Sequence, residues 1–569
     1  MDASHVVKKA VGTMSRFGSF LPYCQAGFAY TPAFAVGSSN AFAPRAPKKS
    51  VATLFEAVVR AAQAYGPRYR LATDQDKKPL SYGALLTRSV VLARLIKRSA
   101  AQDEPIALML PTTSGTLCAF VAIQALGRVA AMINFNAGAS AILSACATAK
   151  IRTLFTSRRF IEVATLDLLA QTLEQAGINL VYMEDLRDKA SLFDKLCGLA
   201  IGSFPTLGRF IKPRKRAEDP AVLLFTSGSE GVPKGVVLSH ANILSNISQF
   251  TARIDLRTED VMFACLPLYH SFGLTVGALL PLMTGMNLYF YPSPLHYHLV
   301  PQHIRESGAT ILLTTDTFLN GYARTASADD LATLRYIVAG AEKLKDSTRA
   351  LWMSRFGKRV FEGYGATETA PVLSVNTPDH YKEGAVGQLL SGIEARLKPV
   401  PGIENAGSLC VKGPNIMLGY MKQDAPGIIQ PPQDGWYDTG DIASLDEEGF
   451  LSIRGRLKRF AKIGGEMISL TAIENAISGL WPEKTHAVVS VPHARKGESI
   501  VLLTEQENIE TGDLIADFRA LGFPEIALPR RVIHIEAVPL LGAGKVDYAQ
   551  ATKLAFNENG PAPDKAKVS

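Results

Sequence analysis

Residues 223–240 read LLFTSGSEGVPKGVVLSH. Three apolar residues end in Thr226, Ser227, Gly228, Ser229, Glu230 and Gly231, and Pro233, Lys234 and Gly235 follow. An apolar strand that runs into glycines and small hydroxyl residues lets backbone N–H groups converge on an anion. The hydroxyls of Thr226, Ser227 and Ser229, with Lys234, complete a polyphosphate cradle. The spacing GxxxxGK[ST] is absent, so this is not a Walker A loop. Upstream, an apolar strand at 105–111 leads into an apolar helix at 114–129 and a second strand at 130–133. The same alternation recurs at 153–155, 179–183 and 309–314. Strand, helix, strand at this spacing predicts a parallel α/β sheet. Residues 51–96 predict helices around a short extended stretch at 69–72.

The 569 residues exceed what one hydrophobic core organises, so two or more domains are expected. A chain 47% hydrophobic and 20% charged is that of a folded protein. The six cysteines (24, 118, 146, 197, 265 and 410) form no CxxC pair, which argues against a disulfide framework or a zinc site and for a reducing compartment. The net charge of +8 suits acidic partners: nucleotides, anionic lipid or an acidic carrier protein. No helix-turn-helix, zinc-finger or RNA-binding signature is present, which sets nucleic acid aside.

Residues 1–50 do not read as a secretory signal and form an extension of unknown role. Residues 261–304 carry no Lys, Arg, Asp or Glu, enough length for a membrane span. Five prolines, several glycines and four histidines interrupt them, so a buried helix followed by a buried strand is expected instead. The basic segment 211–219, IKPRKRAED, reads as an exposed connection. Past residue 400 glycine-rich turns and short strands, at 407–412 and 449–454, indicate a β-rich subdomain. A small terminal domain follows from about Leu457.

Four further blocks carry chemistry: FEGYGATE at 361–368, WYDTGD at 436–441, RGRLKRFAK at 454–462 and PLLGAGK at 539–545. In this order and at these separations, the five blocks resemble the adenylate-forming superfamily of acyl-CoA synthetases, peptide-synthetase adenylation domains and luciferases. The resemblance covers about residues 51–548. It implies an α/β multidomain fold: a large domain of layered α/β subdomains plus a β subdomain over 51–456, and a small mobile α+β domain over 457–569.

The resemblance also implies roles. Thr226, Ser227, Gly228, Ser229, Gly231 and Lys234 would hold the β- and γ-phosphates of ATP. Tyr364, followed by Gly365, would stack on adenine, with Gly340, Ala341 and Glu342 along its edge. Glu368 would bind Mg²⁺, which takes one or two carboxylates besides phosphate oxygens. Thr367 would reach the α-phosphate. Asp441 would accept the ribose hydroxyls and Arg456 would assist as a fixed cation. Lys545 would bridge the substrate carboxylate and the α-phosphate. Lys458 matches the hinge about which the small domain swings. His270, in PLYHSFG, matches a position beside the acyl pocket. That pocket would be an apolar tunnel lined from the uncharged region after Leu266 and from residues 314–319.

More narrowly, SGSEG, LPLYHSFGLTVG, YPSPLHYHLVP, VAGAEKL and RFAKIGGEMISL look like the acyl–acyl-carrier-protein synthetases, in particular the ligase half of the bacterial bifunctional enzyme that recycles lysophospholipids. The HxxxxD dyad of its acyltransferase half is absent here, so a separate acyltransferase partner would have to supply that chemistry. Glu230 departs from the superfamily's hydroxyl residue and, if solvated, would repel ATP by up to about 1 kcal/mol. The expected partners are a fatty acid and acyl carrier protein, with coenzyme A the alternative acceptor and a non-catalytic scaffold the remaining one. Basic residues 456, 458, 459, 462, 495, 496, 530 and 531 would steer an acidic carrier onto the small domain. The expected location is the cytoplasm, with peripheral attachment to the inner face of a bacterial inner membrane as the alternative.

Overall fold

The structure, a computed structural model, describes residues 53–102, 104–211, 213, 215–227, 233–463, 466–493, 497–509, 511–521, 523–540 and 546–557. Among these, two large mixed sheets dominate. The first runs in the order Gln388–Leu389, Val372–Val375, Val360–Gly365, Tyr336–Ala339, Ile311–Thr314, Val261–Ala264, Asn287–Phe290, Arg70–Thr73, Pro79–Ser81. From Val360–Gly365 to Arg70–Thr73 its strands are parallel. The second runs Ala425–Gln430, Gly419–Lys422, Pro233–Ser239, Pro220–Ser227, Ala130–Met132, Ile106–Leu108, Thr153–Thr156, Asn179–Tyr182. It is parallel from Pro220–Ser227 onward and antiparallel on the other side.

The parallel strands are short, nearly continuous apolar runs because helices cover both faces of such sheets. Helix Ser114–Ala125 is apolar all round and almost every residue in it is buried. It stops at Ala125, short of the expected 129, because Gly127 takes up a left-handed φ of 65°. Side-chain caps set the starts of the helices. Thr53 caps Leu54–Tyr65, Ser81 caps Tyr82–Ser99 and Ser239 caps His240–Thr251. Buried His240 holds a second helix start: Leu54 N–H donates to its Nδ1 at 3.2 Å. Burial pushes the His240 pKa down to about 4.

The uncharged stretch 261–304 is built differently from expectation. A strand, Val261–Ala264, precedes the helical turns Phe272–Leu279 and Leu280–Thr284, and only then comes the expected strand, Asn287–Phe290. Helix Leu299–Ser307 closes it. Four apolar residues cannot be assigned to strand or helix by periodicity. No helix among the described residues is long and apolar enough to cross a membrane.

A four-stranded antiparallel sheet, Glu394–Pro399, Gly407–Lys412, Tyr437–Leu445, Leu451–Arg456, supplies the β-rich part. Beyond it Phe460–Ile463, Glu466–Ser469, His486–His493, Gly497–Thr504 and Arg531–His534 form a separate sheet. The apolar clusters divide along the same line. Two clusters draw only on residues up to Ile453, one of them far larger than the rest, and two only on residues from Ala461 onward.

Candidate active site

Residues just past the carboxyl ends of parallel strands in both large sheets line one cavity of about 3270 Å³. They include Asp74, Ile133, Ser157, Leu266, Thr315 and Gly340. Strand ends are where open α/β sheets bind ligands, because connecting loops and helix N-termini diverge there. Arg456, Leu457, Lys458 and Arg459 line the same cavity, as do Val546, Asp547 and Tyr548.

One pole of the cavity is polar. Asp441 and Arg456 are paired across neighbouring antiparallel strands, and Arg456 Nε lies 3.2 Å from Asp441 Oδ1. The other carboxylate oxygen, Oδ2, accepts the Tyr364 hydroxyl at 2.5 Å. Burial raises the Asp441 pKa, and Arg456 and Tyr364 oppose that rise. Burial and the Asp441 charge together hold the Tyr364 phenol well above its ordinary range. Tyr364 thus meets the cavity as a neutral ring whose hydroxyl is already committed. Gly365 is required beside it: a Cβ there would collide with the Pro371 carbonyl.

The second polar group is Glu368, buried, whose Oε1 accepts the Tyr420 hydroxyl at 2.7 Å. The Lys234 ammonium lies 5.7 Å from the centre of the Tyr420 ring. Thr226 pairs with Lys234 across neighbouring antiparallel strands. Thr367, Glu368, Lys234 and Thr226 all line the cavity. The donor set fits a magnesium nucleotide: one half-committed carboxylate beside a lysine and hydroxyls, with room for phosphate oxygens to complete the shell. Among the described residues no group of three His, Cys, Asp or Glu could hold a metal unaided.

Other expected residues are placed as follows. Gly340, Ala341 and Glu342 line the cavity, and Ala341 has a left-handed φ of 69°. The Glu342 carboxylate is engaged elsewhere. It accepts Thr317 N–H at 2.6 Å and the Thr317 hydroxyl at 3.1 Å, at the start of helix Asp316–Thr325. His270 lines the apolar side, its ring centre 4.7 Å from that of Tyr269. Lys458 sits in the short turn Leu457–Arg459 between the two sets of sheets. Gly228, Ser229, Glu230, Gly231 and Lys545 lie outside the described residues, as do the side chain of Ser227 and residues Arg495 and Lys496. Val546, next to Lys545, lines the cavity.

One member of the expected basic surface is turned inward. Arg459 bonds Glu474 at 2.9 Å, and its guanidinium lies 3.7 Å from the centre of the Tyr548 ring. An i,i+3 pattern of Arg and Lys cannot say which charge faces water. Tyr420 escaped sequence reasoning, and Tyr437, though inside the block 436–441, was given no role; both line the cavity. Both belong to late strands, and only antiparallel pairing of Gly419–Lys422 with Pro233–Ser239 brings Tyr420 to Glu368.

With this geometry in view, the comparisons are informative. Residues 55–421 match the family described as AMP-binding enzyme, and the chain belongs to that family. It is similar to the long-chain-fatty-acid–CoA ligase of Salmonella typhimurium, 31% identical over 352 residues, 59% of this chain and 62% of the relative. It is also similar to the feruloyl-CoA synthase of an Amycolatopsis species, 29% identical over 342 residues, 58% of this chain and 68% of the relative. The matched region spans less than two thirds of the Salmonella relative's length. Among solved structures, ATP-bound MatB from Rhodopseudomonas palustris superposes with a TM-score of 0.74 at 24% identity, over 88% of this chain and 99% of that one. The Mycobacterium tuberculosis fatty acyl CoA synthetase gives 0.66 at 20% identity, over 88% and 98%. These likenesses show the fold: an α/β multidomain architecture shared with adenylate-forming ligases.

Proposed function

We propose that this protein uses ATP to activate a fatty acid as an acyl-adenylate and passes the acyl group to a pantetheine thiol. The observation that carries the reading is the polar pole, where Asp441, Tyr364 and Arg456 stand on one side and Glu368, Tyr420 and Lys234 on the other. Apolar side chains such as Leu266, Phe272, Phe318 and Val338 line the same cavity. The chain's likeness to long-chain fatty-acid CoA ligases supports a fatty acyl substrate.

In this reading Asp441 accepts the ribose hydroxyls, its carboxylate pre-oriented by Arg456 and Tyr364. The Tyr364 ring stacks on adenine, and the backbone of 340–342 meets the base edge. Lys234, Thr226 and residues 227–231 hold the β- and γ-phosphates. Glu368, held by Tyr420, would bind Mg²⁺, which neutralises charge on the phosphates. The substrate carboxylate oxygen attacks the α-phosphorus, the Pα–O–Pβ bridge breaks, and pyrophosphate leaves. Thr367 and Lys545 stabilise the charge that builds on the α-phosphate. A thiolate sulfur then attacks the acyl carbon, the bond to the AMP oxygen breaks and AMP departs. The domain division we adopt is 51–456 and 457–569, supported by the separation of apolar clusters, with Lys458 as the hinge.

Two acceptors share the pantetheine thiol. The likeness to CoA ligases favours coenzyme A, and the narrower motif resemblance favours acyl carrier protein. The inward turn of Arg459 removes one charge from the carrier-steering surface. Purified protein given ATP, magnesium and labelled palmitate, with coenzyme A or holo-acyl carrier protein in parallel, tests the reading. Pyrophosphate release is expected with either. Thioester on one thiol alone names the acceptor, and no pyrophosphate with any fatty acid would sink the proposal in favour of a non-catalytic scaffold.

A further inference from the structure

Helix Leu192–Ser203 is built inside out. Its buried stripe is Asp194, Gly198, Ile201 and Gly202, mostly small, while its outward stripe is Leu192, Leu196 and Leu199 at i, i+4 and i+7. Leu192, Phe193, Leu196 and Leu199 are 54–73% exposed. Phe204 and Phe210, at the two ends of the following turn Pro205–Phe210, are exposed as well. Six of the fifteen exposed large apolar residues among those described fall in these nineteen positions, 192–210, so the patch is local and not general surface scatter.

The cause is close helix packing. A Cβ at Gly198 would lie 2.7 Å from the Thr87 carbonyl, and one at Gly202 would overlap the Gly83 carbonyl, both in helix Tyr82–Ser99. The two helices meet backbone to backbone, which leaves the large apolar side chains on the other face. Asp194 locks the arrangement: Arg94 and Arg98 bond its Oδ1 at 2.6 and 2.5 Å and hold its carboxyl far below the usual range.

Cations interleave with the exposed rings. The Arg94 guanidinium lies 4.9 Å from the Phe193 ring centre and the Arg209 guanidinium 4.8 Å from that of Phe210. Lys195, Lys215 and Arg216 are exposed nearby in sequence. From Ser191 to Arg216 the sequence holds six Lys or Arg and one acid, the buried Asp194. We propose that this face docks on an anionic lipid bilayer, leucines and phenylalanines entering the headgroup boundary and the cations meeting lipid phosphates. A second copy fits less well, because a two-fold contact would bring these like charges together. The face also borders the cavity: Arg187, Ala190 and Lys195 line the cavity beside it. A lipid-dissolved acid could therefore reach the cavity without crossing bulk water, a consequence that rests on the acyl reading above.

The test is sedimentation of full-length protein with vesicles of phosphatidylcholine alone or with added phosphatidylglycerol. Wild type should pellet with the anionic vesicles and be released by salt. The Leu196→Glu/Leu199→Glu variant should lose about tenfold or more in partitioning, and Arg209→Gln about fivefold, from roughly 1 kcal/mol per cation. Equal pelleting of wild type and the double variant would overturn the proposal, as would failure of wild type to pellet. A lipid-free dimer that the double variant dissociates would overturn it too, in favour of a second copy. Pyrophosphate release with detergent-dispersed fatty acid should match between wild type and double variant. Absence from both would sink the acyl reading, while pelleting would still decide for or against docking.

Discussion

Two regions of this molecule break the rule that polar groups face water and apolar groups face inward, and they break it in opposite directions. At the polar pole Asp441 and Glu368 are buried, and each gives one carboxylate oxygen to a tyrosine hydroxyl. On helix Leu192–Ser203 leucines and a phenylalanine face outward. A buried carboxylate costs stability unless it is hydrogen-bonded, and an exposed apolar patch invites association. Each arrangement carries a cost that a ligand would offset: a nucleotide at the first and, as proposed above, a lipid surface at the second.

The largest effect is expected at the polar end. Lys545→Ala should lower pyrophosphate release by about 100- to 1000-fold, the scale for removing one transition-state donor. Thioester formation from preformed acyl-adenylate should be largely retained, and surviving pyrophosphate release would show that Lys545 has no such role.

A buried polar group away from both regions serves as a control. His240 is buried and hydrogen-bonded but does not line the cavity. Its pKa of about 4 lies below the ordinary 6.5, so the unfolded chain binds the extra proton between those values. Stability therefore rises with pH across that window and is lost as pH falls through it, by about 3 kcal/mol in all. Thermal melts from pH 7 to pH 4 should show the loss, and His240→Gln should flatten the profile with pyrophosphate release at pH 7.5 unchanged. A variant as pH-sensitive as wild type would move the responsibility to other groups.

Asp441→Asn should cost about 2 kcal/mol in kcat/KM for ATP, the scale of one charge-assisted hydrogen bond, mostly through KM. Steady-state kinetics that put the whole loss in kcat would argue against ribose binding. The smallest effect is expected at the other pole. Leu196→Glu/Leu199→Glu should leave the unfolding free energy from denaturant titration within about 0.5 kcal/mol of wild type, since exposed side chains make few contacts to lose. A larger loss would mean that those leucines are packed in solution.

Much of the site was legible as blocks. Lys234, Tyr364, Glu368, Asp441 and Arg456 were named from local runs, and the structure brings all five to one cavity. They were legible because each lies within a few residues of glycine or a strand end, where backbone requirements leave a pattern. The alternating α/β plan was legible for the same reason: short apolar runs separated by helical spacing leave few topologies. The strand Val261–Ala264 was not, since four apolar residues inside a long uncharged run carry no period.

The sequence by itself carried the class of chemistry through five ordered blocks that resemble the adenylate-forming superfamily. It determined the composition of both unusual regions as well. Tertiary structure alone decided their direction. Tyr420 reaches Glu368 through pairing of strands almost two hundred residues apart in sequence. Arg459 turns inward because Glu474 and Tyr548 fold back over it. The leucines of helix Leu192–Ser203 face out because Gly198 and Gly202 bring its other side against a neighbouring backbone. Which face a side chain presents depends on what packs behind it, and that is a property of distant residues, not of spacing.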